Sequence, residues 1–126
     1  MKALVTIAIA LAIPSISIAQ GPRCEMATVD KQTCRVKPTA AHDYLITAKA
    51  SANAGEGHGN PQIKVHITVD GDECTEKETD AWQNGPASLE ATCQTTLTPG
   101  QDHEIKGAAI NRDAKSTGFG LTVQEQ

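Results

Sequence analysis

The sequence predicts an all-β fold, a small antiparallel β-sandwich of six or seven strands held by two disulfides. Three observations carry this reading. Short segments of alternating apolar and polar residues recur along the chain, separated by clusters of Gly, Pro, Asn and Asp. No segment is long and periodic enough to serve as the crossover helix that a parallel sheet needs. The chain has four cysteines, an even number, in a sequence that looks exported. Strands with one apolar face bury it best between two sheets, with a small closed β-barrel as the alternative.

Residues 1–19 read as a signal peptide. Lys2 supplies a positive start, Ala3–Ile13 is an apolar run, and Ser17-Ile18-Ala19 fits a small-x-small cleavage site. The run is short for a membrane span and Pro14 interrupts it. Residues 20–126 then form a single disulfide-stabilised domain. No second apolar run follows, so no membrane insertion is expected after cleavage. The expected location is secreted: extracellular, or periplasmic in a Gram-negative bacterium. A monomer is expected.

The elements follow in order. Arg23–Lys37 reads as two extended pieces around a polar turn at Asp30-Lys31-Gln32, ended by Pro38. His42–Ala50 alternates, with Tyr44, Ile46, Ala48 and Ala50 on the buried face. Ser51–Pro61 is a glycine-rich loop. Gln62–Asp70 is the clearest strand, because Ile63, Val65, Ile67 and Val69 are all β-branched and alternate with Lys64, His66 and Thr68. Asp70-Gly71 marks a turn. Gly71–Ala87 reads as a long acidic loop. Within it Thr75–Gln83 could equally form a short helix, since Thr75 and Glu78 fit a capping box and Asn84-Gly85-Pro86 fits a stop. Ser88–Leu97 alternates again, with Cys93 facing inward beside Leu89 and Leu97. Thr98-Pro99-Gly100-Gln101 is a turn. His103–Ile110 and Thr117–Gln124 are the last two strands, joined by a polar turn at Asn111–Ser116.

Four cysteines allow three pairings. Sequence proximity favours Cys24–Cys34 and Cys74–Cys93, each closing a short loop. The apolar content is low for a folded domain, so the bridges, at about 2–4 kcal/mol each, are expected to carry much of the stability.

The residues bound the function more by exclusion than by motif. The net charge is −4 and the aromatics are one Trp, one Tyr and one Phe. Nucleic acid is therefore excluded as a partner, because no basic cluster or stacking platform is present. Carbohydrate stacking on aromatic rings is weakly provided for. The cysteines are expected to be oxidised and no serine sits in a Gly-x-Ser-x-Gly elbow, so no catalytic residue is assigned. His42, His58, His66 and His103 are no closer than eight residues apart, unlike the local spacing of zinc motifs, so no metal ligand and no cofactor is assigned.

The remaining feature is the acidic stretch, where Asp72, Glu73, Glu76, Glu78 and Asp80 crowd together with Trp82. These six residues are the candidate partner surface. Carboxylates attract a basic partner, and Trp is a common interface anchor when it is not packed on a core. The spacing does not match an EF-hand calcium loop, where the invariant Gly comes at position 6 and a bidentate Glu at 12. The function expected from these features is a secreted, non-enzymatic module that binds another protein, as inhibitor, effector or accessory. The alternatives are a calcium- or metal-stabilised structural domain of the cell envelope and a small hydrolase.

Overall fold

The computed structural model describes residues 20–54 and 59–126. The signal-peptide reading and residues 55–58 of the glycine-rich loop, His58 among them, lie outside the described residues. Eight strands follow one another: β1 (Gln20–Thr28), β2 (Lys31–Lys37), β3 (His42–Ala54), β4 (Gln62–Val69), β5 (Asp72–Glu78), β6 (Pro86–Leu97), β7 (His103–Arg112) and β8 (Ala114–Glu125). They form two antiparallel sheets, one of five strands in the order β1-β2-β7-β4-β5 and one of three in the order β6-β3-β8. The fold is the expected sandwich, not a closed barrel, with one strand more than the upper expectation.

The extra strand is β5, and it corrects the reading of the acidic stretch. Thr75–Gln83 is not a helix: residues 75–78 belong to β5, and only 79–85 remain irregular. Asp70 and Gly71 both adopt positive φ, 52° and 89°, and close a two-residue hairpin between Val69 and Asp72. Such turns match the twist of the flanking strands and favour Asp-Gly. The chain therefore returns directly alongside β4, and residues 72–78 pair with it. A short capped helix cannot compete with a ladder of backbone hydrogen bonds to an existing strand.

Smaller corrections concern element ends. β3 continues to Ala54, β6 begins at Pro86, and β7 and β8 extend to Arg112 and from Ala114. The polar turn expected at 111–116 shrinks to the neighbourhood of Asp113, which takes a positive φ of 53°. The first hairpin turns at Val29 and Asp30, with Lys31 and Gln32 already in β2.

The core lies between the sheets. Ile63, Val65 and Ile67 of β4 and Ile105 of β7 face Tyr44, Ile46, Ala48 and Ala50 of β3 and Leu89 and Leu97 of β6. Small residues thin the space on the β8 side. A side chain at Gly107 would meet the ends of Leu121 and Phe119 at 2.9 and 3.1 Å, so a glycine lets β7 and β8 approach.

Both expected disulfides are present, with Cα separations of 4.0 Å for Cys24–Cys34 and 6.0 Å for Cys74–Cys93. Their contexts differ. Cys24–Cys34 joins directly opposed residues of β1 and β2 within one sheet. Cys74–Cys93 joins β5 to β6, strands of different sheets.

Candidate functional site

The outer face of the five-stranded sheet is built from the residues that alternate with its core. On β4 these are Lys64, His66 and Thr68, and on β7 they are Glu104, Lys106, Ala108 and Ile110. Register then places Ala108 beside His66, and His66 beside Glu76 of β5. Small side chains at the centre leave a shallow depression of about 410 Å³, lined by Ala27, Lys31, Thr33, His66, Thr68 and Ala108 among others.

The acidic strand meets this face through an irregularity. Thr75 opposes Ile67 and Glu73 opposes Thr68, so Cys74 is an extra residue on β5. In an unbroken strand Glu73 and Glu76, three apart, would point to opposite faces. A bulge resets the alternation and re-aims the side chains on one flank. Cys74 thereby reaches across to Cys93, while Glu73 joins Glu76 on the outer face. Glu73 Oε1 lies 3.2 Å from His66 Nε2, and Glu76 Oε2 lies 3.4 Å from Lys64 Nζ. Glu78 stands opposite Lys64.

Side-chain ligand atoms of His66, Glu73 and Glu76 all lie within 4.8 Å of one another. Nε2 of His66 is closed off from solvent yet makes no hydrogen bond among the described residues. The histidine spacing alone points to no metal ligands. The signal that was missed joins one histidine to two glutamates across a hairpin, and it depends on the bulge, which sequence spacing does not show.

The other candidate residues are not brought into this group. Asp72 and Asp80 are exposed and make no ion pair among the described residues. Trp82 is half-buried and packs against the core. Its backbone N–H donates to the Pro61 carbonyl at 3.3 Å and its indole N–H donates to the Gly85 carbonyl at 3.0 Å. With the Thr79 N–H bonded to the Ile63 carbonyl at 2.9 Å, these bonds fasten residues 79–85 along the end of the sandwich. Trp82 is thus a closing plug and not a free anchor.

A second polar group sits at the β4–β5 turn. His103 is buried, and its Nδ1 lies 2.6 Å from Asp70 Oδ2 while its Nε2 lies 2.8 Å from the Thr98 carbonyl. Both ring nitrogens therefore face acceptors, and only the doubly protonated imidazolium donates to both. Burial acts most strongly on this histidine and lowers its pKa. The hydrogen bonds to Asp70 and Thr98, with the charges of Asp70 and Asp102, outweigh burial and raise the pKa above its usual value. Asp70 shows the mirror image. Burial raises its pKa, but the bonds from His103 and from the Glu104 N–H, with the charge of His103, leave it below its usual value. Oδ1 of Asp70 accepts the Glu104 N–H at 2.8 Å, so the pair ties the hairpin turn to β7.

No nucleophile stands out. Among the described residues all four cysteines are in disulfides, and Glu90 and Glu104 are paired with Lys49 and Arg35. Among the described residues no helix is long and apolar enough to cross a membrane.

Neither a protein-family model nor a curated protein sequence matches the chain. Among solved structures it is similar to the C-terminal domain of EclA, a sugar-binding protein. The TM-score there is 0.48 and the identity 16%, over 85% of this chain and 81% of that one. It is similar to a family 35 carbohydrate binding module from an environmental isolate, with TM-score 0.41 and 15% identity over 78% and 72%. A third likeness is to the CBM6cm-2 module of Cellvibrio mixtus lichenase 5A in complex with cellotriose, with TM-score 0.39 and 13% identity over 87% and 91%. At these values no ligand and no activity is transferred.

Proposed function

We propose that the protein is an exported, non-enzymatic binding module that docks a protein partner along its β4–β5 edge. The observation that carries this reading is the placement of β5. It is the last strand of the five-stranded sheet, and no backbone ladder forms on its outer side among the described residues. An open strand edge can accept an extended segment of another chain, with backbone hydrogen bonds supplying affinity. Glu73, Glu76 and Glu78, gathered on one face of that edge, favour a segment rich in Lys or Arg and speed its arrival.

The aromatic residues support a protein over a stacked sugar. Tyr44 is buried, and Trp82 and Phe119 pack against the core. No aromatic ring is left as an open platform.

Edge strands also carry charges and bulges simply to repel unwanted pairing, and one experiment separates the two roles. Immobilised protein is exposed to extracts of its native environment, alongside an E73Q/E76Q/E78Q variant. A docking edge retains a partner on the wild type only, and loses it in 1 M salt, where the screening length is about 3 Å. Equal retention by the variant, or none by either, overturns the reading.

A further inference from the structure

We infer that His66, Glu73 and Glu76 form a binding site for a divalent transition-metal ion of the zinc type. This goes beyond the docking reading and does not depend on any partner.

The donor set is one imidazole nitrogen and two carboxylates. An imidazole suits zinc, copper, iron and nickel, whereas calcium and magnesium want oxygen ligands throughout. The spacing agrees with a small ion. Zinc bonds of about 2.0–2.1 Å in a tetrahedron set neighbouring ligand atoms about 3.3 Å apart. The His66 Nε2 to Glu73 Oε1 separation is 3.2 Å, and the Glu76 carboxylate falls within the same 4.8 Å cluster.

The second observation concerns His66 itself. Its Nε2 is shut off from solvent and is not aligned to hydrogen bond with the carboxylate beside it. The ring as a whole is 36% exposed and its Nε2 faces Glu73 Oε1 at 3.2 Å, so this nitrogen is under-satisfied unless a further partner completes it. A metal ion held by all three side chains would satisfy it. Three protein ligands leave a fourth position, and His66 and Thr68 also line the depression on this face. Lys64 approaches one oxygen of Glu76 and leaves that carboxylate a second oxygen. The ion would also lock the β4 and β5 strands across their outer face, opposite the Cys74–Cys93 bridge.

The backbone supporting the site is fixed. His66 and Glu76 are directly opposed cross-strand neighbours, and the bulge next to a disulfide sets the position of Glu73. The glutamate side chains are exposed, so the ion itself would order them.

The test uses the purified full-length protein with zinc chloride, with calcium chloride as the comparison. The expected results are a Tm that rises with zinc and returns with EDTA, no response to calcium, and zinc-dependent shifts of the His66 ring resonances in NMR. H66Q and E76Q are each expected to lower zinc affinity at least tenfold, with E73Q as a third variant should either lose its fold by circular dichroism. The site is overturned if zinc leaves the His66 resonances and the Tm unchanged. It is equally overturned if folded H66Q and E76Q bind zinc as the wild type does. Because no partner is present, failure here leaves the docking experiment unaffected.

Discussion

The two ends of the five-stranded sheet are each an edge strand tied by a disulfide, and they are built on opposite principles. At one end β1 pairs only with β2, and its bridge repeats a connection that the ladder already makes. Every β1 side chain whose burial is described is exposed, and Met26 stands 61% open. The three-stranded sheet packs on β2 and β7 through β8, and β1 makes no more than marginal contact with it. At the other end β5 lies against β6 of the opposite sheet, and its bridge is the covalent link between layers. Lys77 adds a hydrogen bond from Nζ to the Glu90 carbonyl at 3.2 Å. The same chemistry therefore has a local effect at one edge and a global one at the other. Where a crosslink sits relative to the core decides its leverage, more than the length of loop it closes.

Four measurements would break or sharpen that contrast. The largest effect is expected in the core beside β5. Ile67 is fully buried, and Ile67→Ala should cost about 2–5 kcal/mol in denaturant unfolding. A cost under 1 kcal/mol would mean that this end is not consolidated as described. Next come the disulfides. Loops of these lengths predict similar losses of about 3 kcal/mol from chain entropy alone. C74A/C93A should approach that figure, since both layers depend on the bridge. C24A/C34A should cost clearly less in global stability and should show instead as faster amide exchange confined to β1 and β2. Equal global costs would abolish the contrast.

The third measurement is pH dependence. The pKa of His103 is raised above the 6.5 of an ordinary histidine, so its contribution is complete below that pH and fades as pH rises through the folded pKa. Asp70 is depressed below the 3.8 of an ordinary aspartate, so its contribution is complete above that pH and fades as pH falls through the folded pKa. The pair should stabilise the β4–β5 turn most between those two values. H103Q should flatten the alkaline decline in Tm, and an unchanged profile would remove the pair from the account. The smallest effect belongs to the other end. Met26→Ala should stay within about 0.5 kcal/mol, as exposed positions usually do, and a larger loss would reveal something covering β1.

The sequence made legible those elements whose burial is one-sided and apolar. β3, β4, β6 and β7 alternate large and polar residues because each has one wet face, and their inward residues are the ones observed inside. β5 gave no such signal, because its inward positions are Cys74 and Thr75 and its remaining residues are charged. Asp70-Gly71 was the usable clue, since a two-residue hairpin commits the chain to an immediate return strand. The site was illegible for a related reason. Spacing along the chain cannot show that His66 and Glu76 are opposed, or that an extra residue turns Glu73 to meet them. Those facts belong to register, which is set by the pairing of strands and not by either strand alone.

The strand order also constrains how the molecule comes into being. The middle of the larger sheet is β7, which separates β2 from β4, and the middle of the smaller one is β3, which waits for β8. A growing chain that ends before residue 103 leaves β2 and β4 without their shared neighbour, and one that ends before residue 114 leaves β3 open on one side. No N-terminal portion can settle early into a stable part of the final structure. Assembly must wait for the last strands, and non-local pairing of this kind slows it. Late arrivals thus dictate the timetable, and a premature stop near the C-terminus should yield an unfolded product, not a shortened domain.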